Sequence, residues 1–347
     1  MPDRTRTRFS VVSAQSSTLV VLPLTYRTYR PGDEESIMQT FNEVFQLERD
    51  EDYWRWKFMH ESDVIAVLAV GADNKVHAQM AAFRTKWCGS GMSLPVSQVG
   101  DVFARRTPEI IRHKVMYRTF TTFHRTYSDR NDIKLLFGFP NRTLVELHNT
   151  RDPLSESGKP VTMYRLQVED CEGSSCEPLG SSTRISTDCP SVQAMNDLWL
   201  RAKGRYALSS PRDWSWLSWR FLERPDVIDY RFLGCTREDG ALVGWAIVRP
   251  IDDVLWVCDL VWDGLDAAEL HMLESAIVGV AIENDLPEIA IWLQGDERVA
   301  RSLVESGWRD HTDAQQINLA MHAYDQSLDC DWIQNNLYLT CADSDLF

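Results

Sequence analysis

The stretch "YWRWKF" at residues 53–58 returns in altered form as "WLSWRF" at 216–221. A second echo sets "VGDVF" at 99–103 against "VCDLV" at 257–261. Trp219 lies 163 residues after Trp56, and Val257 lies 158 after Val99. Two echoes at nearly one offset point to a duplicated unit. Each copy then needs a core of its own, which 347 residues can supply. The 13 Trp give both units large flat side chains to bury.

Charge limits the partners. The chain carries 51 Asp and Glu against 36 Lys and Arg, a net charge of −15, whereas gripping a nucleic-acid backbone draws on clustered cations. Bulk nucleic-acid binding is disfavoured, while a local basic pocket for a small phosphorylated molecule is still allowed. No apolar run reaches the roughly 18 to 20 residues of a membrane span. Eight cysteines show neither CxxC nor zinc-type spacing, and they read as reduced thiols of a cytoplasmic protein. Cys171, Cys176 and Cys189 crowd one polar segment, which reads as an acidic linker more readily than as a disulfide-bearing loop.

Periodicity divides the chain into a flexible leader (1–23), a first unit (24–168), a linker rich in Gly, Ser and acid (169–184) and a second unit (185–347). In the first unit, Ile37, Phe41 and Val44 stand at helical spacing, and so do Met116, Phe120, Phe123 and Tyr127. "IKLLFGFP" is the continuous apolar run of a strand covered on both faces, and "VTMYRLQV" is expected to close the unit. The second unit repeats the pattern, with a hairpin at Glu238-Asp239-Gly240, a helix carrying Leu273, Ile277 and Val280, and "QINLAMHAY" as its last strand. Each unit reads strand, two helices, three strands, helix, strand, helix, strand.

That order, met twice, together with "FGFPN" after the fifth strand, "ESGW" before the last strand and the ending "LYLTCADSDLF", resembles the GNAT superfamily of acyl-coenzyme A N-acyltransferases in a tandem form. The resemblance implies an α/β fold of two GNAT-like domains, each a mixed, mostly antiparallel sheet flanked by helices. It implies acetyl-coenzyme A or another acyl-coenzyme A as co-substrate, no metal, and an amine on a small molecule or sugar as acceptor. Trp56-Lys57-Phe58 and Trp219-Arg220-Phe221 become equivalent helical positions, each burying aromatics while its basic residue is expected to reach the surface. Trp54 or Trp216 could instead line an acceptor cleft.

The same resemblance implies that the turn after the fourth strand, with the helix that follows, cradles the coenzyme diphosphate on backbone N–H groups. Here the copies diverge. From 105 to 118 the first has Arg105, Arg106, Arg112, Lys114 and Arg118 against Glu109, a net of +4; the matching window 263–276 has Asp263, Asp266, Glu269 and Glu274, a net of −4. The first copy is the expected cofactor binder and the second a degenerate partner. "RRTPEIIRHK" lacks the family's glycines, so arginine side chains would take over the phosphate contacts. Asp101 is the candidate base, Val102 or Phe103 the backbone donor, Tyr117 or His148 the acid, and Asn141 a contact to the pantetheine arm. Two other readings stay open: a non-catalytic binding protein of polysaccharide assembly, and an aminoacyl-tRNA dependent peptidyltransferase. The Asp343-Ser344-Asp345 ending offers too few ligands for a cation site.

Overall fold

The computed structural model describes residues 23–346 apart from 61–62, 90, 131, 141–157, 172–182, 227 and 315–316. In the first half, β1 (Thr25–Thr28), β2 (Ile65–Val70), β3 (Val76–Gly89), β4 (Met92–Ala104) and β5 (Leu135–Gly138) lie side by side in that order. Only the β4–β5 pairing among them is parallel. Helices α1 (Glu34–Phe45) and α2 (Glu51–Phe58) cover one face through Ile37, Phe41, Trp54 and Phe58. A short α3 (Pro108–Arg112) leads to α4 (Val115–Tyr127), which covers the other face through Phe123 and Tyr127. The spacing predicted both stripes.

Two more strands, β6 (Lys159–Pro160) and β7 (Met163–Gln167), end the first half. The second half then runs β8 (Thr183–Ser186), α5 (Val192–Ala202), β9 (Leu208–Ser209), α6 (Trp214–Leu217, continued by a π turn over Ser218–Leu222), β10 (Arg231–Arg237), β11 (Leu242–Ile251), β12 (Val254–Trp262), α7 (Ala267–Glu283), β13 (Glu288–Trp292), α8 (Glu297–Glu305) and β14 (Arg309–Asp310). It closes with β15 (Asn318–Ala323), α9 (Cys330–Asn336) and β16 (Leu337–Tyr338). The second sheet is ordered β8-β10-β11-β12-β13, matching the first strand for strand, and its one parallel pairing is again fourth to fifth, β12 to β13. The expected linker thus ends in a strand, since β8 begins at Thr183.

The closing strands depart from expectation. β7, expected to complete the first sheet, pairs antiparallel with β13 of the second, from Met163 opposite Trp292 to Gln167 opposite Glu288. β15 pairs antiparallel with β5 of the first sheet, from Ala320 opposite Gly138 to Ala323 opposite Leu135. Each half donates its last long strand to the other. The donated strand satisfies the free backbone edge of β5 or β13, which a parallel neighbour on one side leaves open. One apolar cluster therefore crosses the molecule, with Trp87, Phe137 and Phe139 of the first half meeting Trp292 of the second. Among the described cysteines no disulfide is formed.

The repeated tryptophans meet each other. Trp56 donates its indole N–H to the Trp219 carbonyl at 2.8 Å, Trp219 donates its own to the Trp56 carbonyl at 3.0 Å, and the rings stack with centroids 5.4 Å apart. Such reciprocal bonding is what a local two-fold relation between copies produces. The basic neighbours, however, do not reach the surface: Lys57 is 2% exposed and Arg220 4%. Lys57 sits between the carboxylates of Asp101 and Asp345, at 2.7 and 2.8 Å, while Arg220 donates to the carbonyls of Ala342 and Ser344. Acceptors supplied by the end of the chain make burial of these cations tolerable.

Candidate active site

A parallel pair that stops early leaves a fork. β4 and β5 are in register only over Val96–Leu135, Ser97–Leu136 and Gln98–Phe137; beyond that rung, no described strand pairs with Val99–Ala104 on the β5 side. A bulge bends β4 at this point, where Asp101 and Val102 together oppose Met80. Asp101 has φ +48°, a left-handed conformation unusual for a residue with a side chain, and its carbonyl is held by the Gln79 amide at 3.1 Å.

The second sheet forks at the equivalent place, after Val257 opposite Ile291. Here the chain's own C-terminal segment bridges the prongs. Leu339 exchanges two backbone hydrogen bonds with Gln294, just past β13, and the Tyr338 hydroxyl donates to the Leu260 carbonyl on β12. Tyr338 is buried and stacked on Tyr206 with centroids 4.1 Å apart. Asp259, the counterpart of Asp101, is bound by Arg212 at 3.0 Å and by the Thr340 hydroxyl at 2.9 Å; Arg212 in turn grips Asp343 at 2.6 Å. The close approach of the tail uses Gly295, where a side chain would come within 2.5 Å of the Leu337 carbonyl oxygen.

The two turns that follow differ as sharply. After β12, the acidic turn is satisfied internally. Arg205 donates to the Trp262 carbonyl, Arg298 to that of Gly264 at 3.3 Å, Arg237 binds Glu269, and Asp266 caps α7 at the Ala268 N–H. After β4, the turn is basic and less engaged. Arg105 pairs with Glu43 at 2.8 Å, but Arg106, Arg112 and Lys114 are exposed and form no ion pair among the described residues. α4 starts at Lys114, whose φ is +51°, with no side-chain cap and no acid in its first turn. Its first N–H groups and the positive end of its dipole therefore lack the compensation that α7 receives from Asp266 and Glu269.

The residues singled out in the sequence are only partly brought together. Asp101 is in the fork, yet its carboxylate is engaged by Lys57 on the α2 face of the sheet. Burial alone would lower the Lys57 pKa; Asp101 and Asp345 outweigh that and raise it above the usual lysine value. Val102 is in the bulge and 36% exposed, whereas Phe103 is buried opposite Gln79. Tyr117 projects into solvent from α4, on the face opposite Lys57, so it does not meet Asp101. His148 and Asn141 lie outside the described residues. Trp54 is fully buried, while Trp216 does line a cleft beside the fork. Lys57, Gln98 and Asp345 were not foreseen, although Lys57 belongs to the echoed segment. Among the described residues no cluster of His, Cys, Asp or Glu could hold a metal, and no helix is long and apolar enough to cross a membrane.

By sequence, no family model and no curated protein matches the chain. By structure it resembles a GCN5-related N-acetyltransferase from Anabaena variabilis, with a TM-score of 0.63 and 12% identity over 87% of this chain and 73% of that one. A GCN5-related N-acetyltransferase from Kribbella flavida gives 0.61 and 15% over 89% and 73%. The chain has the GNAT fold. Saccharomyces cerevisiae N-myristoyltransferase, solved with bound myristoyl-CoA, gives 0.54 and 9% over 89% of this chain and 85% of that one, a match that spans both copies. The tandem GNAT architecture accounts for the two matching sheets, the forked fourth and fifth strands and the bulge in β4.

Proposed function

We propose that the protein is an acyl-coenzyme A dependent N-acyltransferase whose first copy holds the co-substrate and whose second copy serves as structure. The observation that carries this reading is the asymmetry of the forks: the second is bridged by residues 337–343, while the first is spanned by no described segment and adjoins exposed Arg106, Arg112 and Lys114. A diphosphate fits this turn in charge, being attracted both by the cations and by the uncapped start of α4. With no glycine in the turn, the contacts fall to side chains more than to closely approaching backbone.

The co-substrate would supply an activated acyl thioester. The chain's own part is to hold and orient it. Arg106, Arg112 and Lys114 would bind the diphosphate, and the Val102 N–H, in the bulge, is the candidate donor to the acyl oxygen. Asp101, paired with Lys57, keeps the base of the fork charged and ordered, and proton uptake from the acceptor would fall to a carboxylate of this cluster. A second reading, a non-catalytic binding protein of the same fold, is favoured by one observation: Asp101 and Tyr117 stand on opposite faces of the sheet.

Calorimetric titration with acetyl-coenzyme A tests the proposal. Binding at one site per chain, weakened by Arg106→Ala and Lys114→Ala, is expected; no heat at millimolar ligand would retire it. Turnover with a panel of amines then separates the enzyme from the binding protein.

A further inference from the structure

The two echoed cations hold one short segment between them. Arg220 of the second copy donates to the carbonyls of Ala342 and Ser344, at 2.9 and 2.6 Å. Asp343 is gripped on the same side by Arg212, while Asp345, two residues on, reaches Lys57 of the first copy at 2.8 Å. Arg212 also binds Asp259 of the second fork, and Lys57 also binds Asp101 of the first. Residues 342–345 therefore engage both forks at once.

Asp345 and Lys57 press directly on β4. A side chain at Gly100 would come within 2.8 Å of the Asp345 carboxylate and 3.0 Å of the Lys57 ammonium, so the pair fills the space that this glycine leaves. In a regular strand residues 100 and 101 would face opposite ways. Here both face Lys57, which Asp101 reaches at 2.7 Å, because the left-handed backbone of Asp101 turns its side chain round. That conformation is costly for a residue with a side chain and persists where neighbouring contacts hold it. Lys57 holds the Asp101 carboxylate, and the Gln79 amide holds the Asp101 carbonyl at 3.1 Å. The C=O and N–H of a trans peptide point opposite ways, so anchoring that carbonyl on Gln79 aims the Val102 N–H away from Gln79.

We propose that Asp345 is a positioning residue of the first fork: set in place by the grip of Arg220 on its segment, it fixes Lys57, and Lys57 holds Asp101 in the bulge that presents the Val102 N–H to an acyl oxygen. The inference rests on the reading of the first copy as the acyl carrier, and it gives the second copy a part in aligning that site. The Lys57 ammonium has three donors to satisfy in a position closed to water. Held by Asp101 alone, it would move with Asp101; Asp345 anchors it from the side of the second copy. Asp345 thus acts through Lys57 and Asp101 and not on the acyl group itself.

The test follows the Val102 amide in nitrogen–proton correlation spectra of the full chain carrying isotope-labelled valine, the peak being assigned by its loss in Val102→Ile. Asp345→Asn leaves Lys57 and Asp101 as a balanced pair, so the chain should fold, with the peaks of Val243 and Val248 in β11 unmoved. In the free protein Asp345→Asn should shift the Val102 peak. In the unaltered chain acetyl-coenzyme A should shift that peak further than coenzyme A does. Asp345→Asn should abolish this acetyl-specific difference while coenzyme A affinity stays unchanged, because Arg106, Arg112 and Lys114 are untouched. Should Asp345→Asn fail to fold, Arg220→Lys, which keeps the charge but not the grip on two carbonyls, is read in the same way. A Val102 peak indifferent to the substitution, an acetyl-specific shift that survives it, or an equal loss of affinity for coenzyme A and acetyl-coenzyme A would each overturn the proposal. If coenzyme A does not bind and the Val102 peak still moves, the acyl-carrier reading alone falls; if coenzyme A binds and the peak stands still, only the positioning role does.

Discussion

The two forks share strand order, parallel pairing and an aspartate at or beside a bulge in the fourth strand, yet they differ in what occupies them. In the second, Tyr338, Leu339 and Thr340 occupy the space between β12 and β13, and Arg212 joins two carboxylates from distant parts of the chain. In the first, Lys57 and Asp345 approach from one face only, and the far end of β4 is unpaired toward β5 among the described residues. The same opening thus serves as a packing site in one copy and is spanned by no described segment in the other. A duplicated fold can lose a ligand site by filling it with its own chain, and the turn charges then follow. The acidic turn after β12 has arginines from its own domain as partners; in the basic turn after β4, Arg105 pairs with Glu43, whereas Arg106, Arg112 and Lys114 have no anionic partner among the described residues.

The sharpest break of this comparison is Arg212→Ala. It would leave Asp259 and Asp343 buried without their cation, and we expect a loss of about 3–5 kcal/mol in denaturant unfolding. A loss below about 1 kcal/mol would mean that the second fork is not held by this cluster. Gly295→Ala comes next. Its φ is +75° and an added methyl would press on Leu337, so about 2–4 kcal/mol should be lost as the tail is pushed from the fork. At the join between copies, a double-mutant cycle on Trp56→Phe and Trp219→Phe should give a coupling near 1 kcal/mol, because each indole donates to the other's backbone. Simple additivity would make the stacked pair incidental. The smallest effect concerns the open fork: Arg106→Ala and Lys114→Ala should each weaken coenzyme A by about fivefold, with the loss shrinking in high salt. Arg298→Ala, at the turn of the filled fork, should leave coenzyme A affinity unchanged.

Much of this contrast could be read before any coordinates. The echoed tryptophans gave the duplication, and they are the residues that touch across it. The net charges of the two turns already set the copies apart as basic and acidic. The exchange of β7 and β15 was not legible, because "VTMYRLQV" and "QINLAMHAY" both alternate as half-buried strands and neither pattern specifies which open edge the strand will join. β8 was hidden in a Ser- and Thr-rich stretch that reads as linker. The burial of Lys57 escaped for a different reason: its second carboxylate is Asp345, 288 residues away, and a lone lysine on an amphipathic helix is ordinarily expected to extend its charge to water. The filling of the second fork depends on the same C-terminal segment, whose sequence carries no sign of where it docks.

Hydrogen exchange with and without saturating acetyl-coenzyme A tests the central asymmetry most directly. We expect slowed exchange at the backbone amides of residues 102–118, around the bulge and the start of α4, with residues 260–270 unchanged. Slowing at 260–270 instead, or no change in either segment at millimolar ligand, would contradict the assignment of the open fork to the first copy.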